Sequence, residues 1–249
     1  MISQHDFSEF CSAFLKVSEI SDPWCINGLQ VPGRQDIQKV ALGVSASRNF
    51  LQQVADWGAD AVFVHHGLFW KSGVRQLSSL LAERLRILMK HDMSLFAFHL
   101  PLDAHPEVGN NATIARALGA TTIQMEDICA LAKLSEPLSF HDFQDRCEQV
   151  FKRTPVFSES FKKETVQTVG ICSGGGAEYA ELCFAAGADV FLTGEVSEHH
   201  YHDFAELPLP FCAFGHYTTE TFGVQAMLPV FQQQFSSVRF SFFPESCPV

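Results

Sequence analysis

One three-part pattern occurs twice along the chain without a gap. Residues 40–60, V-A-L-G-V-S-A-S-R-N-F-L-Q-Q-V-A-D-W-G-A-D, align on residues 169–189, V-G-I-C-S-G-G-G-A-E-Y-A-E-L-C-F-A-A-G-A-D, and each copy continues into an apolar run, A-V-F-V or V-F-L-T. Short apolar runs bounded by turn residues read as strands, while Phe50, Leu51 and Val54 fall at helical spacing before a closing Gly58. Strand, helix and strand in so short a span require a right-handed crossover between parallel strands. A third strand repeats as well, F-A-F-H at 96–99 against C-A-F-G-H at 212–216. The pattern predicts an α/β fold of two similar α/β domains, 1–125 and 126–249, related by internal duplication.

The strand that begins at Ala61 runs into two adjacent histidines, His65 and His66, followed by a glycine. Carboxyl ends of strands are where α/β proteins bind ligands, and imidazole is the commonest metal-ligating side chain. Alone, such a pair reads better as a hydrogen-bonded loop residue and a partly buried spacer than as half of a metal site. Ligand-type residues, however, follow the second and third strands of both halves: His65, His66 and Asp103 in the first, Glu195, His199, His200 and His216 in the second. In F-G-H-Y-T-T-E, His216 and Glu220 are four apart and share one face if a helix opens there. Three imidazoles and two carboxylates form a mixed N/O set suited to zinc, iron, manganese or nickel. Five ligands exceed the needs of one open site, whereas two ions roughly 3.5–4 Å apart, bridged by a carboxylate, use them all.

Other segments carry less chemistry. Residues 3–17 predict an amphipathic helix capped by Ser3 or Asp6, and I-N-G-L-Q-V (26–31) reads as a loop around Asn27-Gly28. Helices are expected over 77–91, over 112–118 with Asn110 or Asn111 as cap, and over 140–151 with Ser139 as cap. A strand is expected at 94–99, and no site chemistry within 131–165. His99 and His105 flank Asp103 and either orient ligands or hold turns. The loop S-G-G-G (173–176) is either a tight turn or a phosphate cradle. Glu195 and His199, and with them His99, are candidate general acid/base residues; the bland reading of the first two is a surface helix.

Composition narrows the function classes. A hydrophobic fraction of 47% with 18% charged residues describes a folded chain. The net charge of −11, from 17 basic and 28 acidic residues, opposes loose binding to nucleic-acid backbones. The 24 phenylalanines recur at core spacings, so packing accounts for them. No run of 18 apolar residues and no leader pattern occurs, and eight cysteines lie scattered without a C-x-x-C pair. A cytoplasmic protein with reduced thiols and no membrane partner is expected.

The motifs N-G-L-Q-V (27–31), H-H-G-L-F-W (65–70), H-L-P-L-D-A-H-P-E-V-G-N-N (99–111), G-A-D-V-F-L-T-G-E (187–195) and G-H-Y-T-T-E (215–220) span nearly the whole chain. Together they resemble the GTP cyclohydrolase 1 type 2 homolog family, also called Nif-three-like. That resemblance implies a toroidal homohexamer of two-domain subunits. It also implies a cleft holding two divalent transition-metal ions on His65, His66, Asp103, His216 and Glu220. The activity implied is a metal-dependent hydrolase acting on a nucleotide or related heterocycle, by the family's name the ring opening of GTP. A non-catalytic metal-binding scaffold or regulatory interaction protein is the alternative. One departure stands out: Ser45, in G-V-S-A-S, occupies a place where the family usually has aspartate.

Overall fold

Ser3 starts the first helix: its hydroxyl accepts the N–H of Asp6, so α1 (Gln4–Phe14) follows directly on the short strand β1 (Ile2–Ser3). The computed structural model describes residues 1–74, 76–157 and 164–249. After α1 come β2 (Gly28–Val31), β3 (Asp36–Ile37), β4 (Lys39–Ser45), α2 (Arg48–Trp57), β5 (Ala61–His66), α3 (Ser79–Lys90), β6 (Ser94–Ala97) and the one-turn α4 (Leu100–Asp103). The expected loop at 26–31 is thus mostly strand, Gly28–Val31. Gly28–Val31 pairs antiparallel with β6, because Leu29 and Val31 have a strand edge to bond.

The chain continues through α5 (Asn110–Ala117), β7 (Ala120–Glu126), β8 (Cys129–Ser139), α6 (Phe140–Phe151), β9 (Val156–Phe157), β10 (Thr165–Cys172), α7 (Ala180–Ala185), β11 (Val190–Thr193), α8 (Glu198–Glu206) and β12 (Phe211–Ala213). It ends with α9 (His216–Gln234) and β13 (Arg239–Phe242). Ser139 caps α6 as expected, its hydroxyl accepting the Asp142 N–H. The cap of α5 is Gly109 rather than either asparagine, because both asparagine side chains are drawn into other bonds described below.

The architecture is mixed α/β with two sheets of similar size. One has the order β13-β4-β5-β6-β2, the other β7-β8-β10-β11-β12-β9. Two compact units contain them: Met1–Leu102 with Val224–Ser246, and Asp103–Gly223 with Cys247–Val249. These are cut at other places than 125/126, because α5 and β7 pack with the second sheet while β13 adds to the first.

The repeated sequence has a repeated geometry within each unit. Val40 lies opposite Ala61 in the first sheet and Val169 opposite Val190 in the second, the register of the gapless alignment. The shared Gly-Ala-Asp has a physical role in both. Gly58 and Gly187 take positive φ at the helix ends, and the aspartate then turns back to the strand before the helix. Asp60 accepts the N–H groups of Gln38 and Lys39, and Asp189 those of Gln167 and Thr168.

Phenylalanine packs as expected: Phe7, Phe63, Phe96 and Phe231 are buried against one another in the first unit. In the second, Phe151 stacks on Phe214 at 4.3 Å. The eight cysteines are free thiols, seven of them buried. Among the described residues, no helix is long and apolar enough to cross a membrane.

Candidate metal centre

In the first unit the histidines gather where β5 and β6 end. Buried His65 and partly buried His66 are the last two residues of β5, and His99 lies partly buried beside them. Ring centroids lie 4.7 Å apart for His65 and His66, 5.0 Å for His65 and His99, and 5.7 Å for His66 and His99. One ring nitrogen from each falls within 4.8 Å of the other two, so the three are a candidate metal-binding group.

Each ring is held by its Nδ1. For His65 the partner is the Phe98 carbonyl at 3.0 Å, for His66 the Ser45 hydroxyl at 3.2 Å, and for His99 the Asp22 carboxylate at 3.1 Å. A carbonyl and a carboxylate only accept, so His65 and His99 carry their proton on Nδ1 and present Nε2 as the basic nitrogen. Anchoring one nitrogen of an imidazole to orient the other is the usual support of a metal-ligating histidine.

Asp22 is the residue that sequence reasoning missed. Its buried carboxylate accepts the N–H groups of Trp24 and Cys25 at 2.9 Å, the Asn27 amide at 2.9 Å and the Leu100 N–H at 3.2 Å, besides His99. Burial pushes this carboxyl up, but His99 and the other donors outweigh it and hold it well below the usual carboxylate range. Only its place before N-G-L-Q-V could have marked it.

Ser45, the departure from the family pattern, is the partner of His66. A hydroxyl anchors the ring without adding negative charge, so it supports a ligand more weakly than a carboxylate does. Ser45→Ala is expected to weaken metal binding roughly 10–100-fold, and Ser45→Asp to strengthen it, measured by competition with a chromogenic chelator.

In the second unit, α9 opens at His216, so His216 and Glu220 share a face as expected. His216 Nε2 lies 3.1 Å from Glu220 Oε1, and its Nδ1 lies 3.2 Å from Glu195 Oε1. Burial opposes an imidazolium here, but the hydrogen bonds and charges of Glu220 and Glu195 raise His216 to about 9. A metal ion binding this ring must therefore displace a proton at neutral pH.

The S-G-G-G loop serves these carboxylates. A Cβ on Gly174, which has φ +62°, would collide with Glu220 Oε1 and sit 3.1 Å from His216 Nε2, so only glycine leaves room for the pair. The Gly174 N–H donates to Thr219 Oγ1 at 2.9 Å. Ser173 donates to Asp103 Oδ1 at 3.3 Å, and Asn110 donates to the same oxygen at 2.8 Å. Asn111 accepts the Ser173 N–H at 2.8 Å. The adjacent asparagines thus set the Asp103 carboxylate and the loop beside it.

The remaining candidates have other surroundings. His105 Nδ1 accepts the N–H groups of Glu107 and Val108, holding a turn. His199 is exposed on α8 with its ring 4.0 Å from that of His200. Glu195 is half exposed and reaches the centre through His216.

Each unit by itself offers donors of the kind that borderline divalent ions take: anchored imidazoles in the first, braced carboxylates with an imidazole in the second. A "GTP cyclohydrolase 1 type 2 homolog" of Pasteurella multocida is 40% identical over 218 residues, covering 86% of each chain. The homolog of the same name from Escherichia coli K12 is 40% identical over 214 residues, again with 86% of each covered. The solved structure of protein ybgI, described as of unknown function, superposes with a TM-score of 0.93 at 35% identity over the full length of both chains. The family model described as Duf34/NIF3 (NGG1p interacting factor 3) matches residues 2–248, and the chain belongs to that family.

Proposed function

We propose that the chain is a metal-dependent hydrolase of a nucleotide or related heterocycle, with two divalent transition-metal ions on His65, His66, Asp103, His216 and Glu220. The carrying observation is the anchoring of His65, His66 and His99 through Nδ1, which aims three imidazoles as ligands or proton carriers at the end of one strand pair. When bound, such ions polarise water and the substrate group it attacks. The chain's own residues supply the rest. Asp103 is fixed by Asn110 and Ser173, and Glu220 is seated against Gly174. Glu195 on His216, and His99 on Asp22, are placed to hold or pass a proton.

The names of the relatives, GTP cyclohydrolase 1 type 2 homologs, support a nucleotide as substrate. The family description as an interacting factor supports a second reading, a metal-binding scaffold in a regulatory complex. We read the matched strand registers and the two Gly-Ala-Asp brackets as the trace of an internal duplication, and the toroidal homohexamer belongs to this proposal on the family resemblance.

The test is direct. Protein reconstituted with zinc, iron, manganese or nickel is expected to hold two ions per chain by elemental analysis. It is also expected to convert at least one member of a nucleotide panel, while a His65→Ala, Glu220→Ala double variant does not. Two ions without any metal-dependent product would favour the scaffold, and fewer than two would overturn the dinuclear centre.

A further inference from the structure

Next to Glu195 the second unit has a cavity of about 360 Å³, bordered by Arg153, Thr154, Gly194, Gly215 and Val249 as well. Its volume is in the range of small-molecule sites. Arg153, just after the left-handed Lys152 that ends α6, is partly buried there. Its guanidinium donates to Thr218 Oγ1 at 3.4 Å and to the Pro248 carbonyl, both neutral acceptors. Among the described residues no carboxylate pairs with it. A guanidinium is always charged, and among the described residues this partly buried one is hydrogen-bonded only to neutral oxygens.

The chain makes room for this side chain. A Cβ on Gly215, the residue before His216, would collide with Arg153 Nη1. The arginine is therefore packed against the backbone that delivers His216 to the candidate centre. Its planar fork matches the two oxygens of a phosphate or carboxylate, and bidentate pairing of that kind gives orientation as well as affinity.

We infer that this cavity takes the oxyanion group of the small-molecule substrate, phosphate or carboxylate, with Arg153 as the residue that binds it. The reacting part of the substrate then extends toward Glu195 and His216. This assignment rests on the reading of the site as one that turns over a small molecule, but its test does not need the metal.

Protein stripped on a chelating resin is titrated calorimetrically with pyrophosphate and, separately, with citrate. Wild type is expected to bind at least one of them, and the one preferred tells phosphate from carboxylate. Arg153→Gln, which keeps an amide donor and loses the charge, should weaken that binding by at least about tenfold, and Arg153→Lys should fall between the two. Unchanged melting temperatures for the variants exclude unfolding as the cause; should Arg153→Gln melt early, the Lys variant alone decides, by binding more weakly than wild type. Equal affinity in wild type and the folded variants, or no binding of either anion by wild type, would overturn the assignment. Metal content is measured separately, so failure here leaves the metal-centre reading to its own test.

Discussion

Asp22→Ala should destabilise the first unit by about 3–5 kcal/mol, since it strands several buried donors at once and each unsatisfied one costs about 1–3 kcal/mol, with water recovering part. Those donors are the backbone N–H groups of Trp24, Cys25 and Leu100, the Asn27 amide and the His99 ring. Thermal unfolding reads the loss. A variant within 1 kcal/mol of wild type would show that this carboxylate is not the knot of the loop.

The same residue gives a pH window. Its pKa is depressed in the folded chain, so its contribution to stability is complete above its unfolded value, about 3.9. That contribution drains away as pH falls from there toward the folded value. Asp22→Asn is the subtler variant. Its amide oxygen can keep the His99, Leu100 and Asn27 donors while its NH2 faces the N–H groups of Trp24 and Cys25, so Asp22→Asn should lose part of the same stability with the His99 ring still donating from Nδ1.

The second large effect concerns the metal. If His66 and Glu220 serve one centre, ions that bind only the folded chain stabilise it by about 3–4 kcal/mol at free metal 100 to 1,000 times the dissociation constant, and chelation lowers the melting temperature accordingly. His66→Ala and Glu220→Ala should each forfeit most of that gain, and the double variant little more, a strongly non-additive pair. Additive losses in calorimetry, with one ion kept by each single variant, would mean two separate clusters.

How much of this fold and site is legible in the sequence depends on how local the signal is. The strand ending in His65-His66, the helix closed by Gly58 and the start of α9 at His216 are written in short apolar periods with their own stop residues. The hairpin of β7 and β8 is not, because its turn uses Asp127 at φ +57° instead of a glycine. Nor is β13, whose R-F-S-F gains strand character from pairing with β4. The candidate ligands could be named because histidines and carboxylates are conspicuous at strand ends. Their supports could not: Asp22, Ser45, Asn110, Ser173 and Arg153 are ordinary surface-type residues whose roles exist only through partners far along the chain, as Asp22 is 77 positions from His99.

The pairing of β13 with β4, Arg239 opposite Lys39 and Phe242 opposite Leu42, bears on how the protein is made. During synthesis the β4 edge, with its buried Val40, Ala41 and Leu42, stays without a neighbour on that side until β13, which follows every other strand in chain order, has left the ribosome. By then all six strands of the other sheet have long been translated. The segment nearer the carboxyl end can thus complete its sheet first, while the nascent amino-terminal part waits with an open parallel edge of the kind that invites aggregation. A ribosome that stalls before codon 239 releases a chain missing the strand that closes that edge.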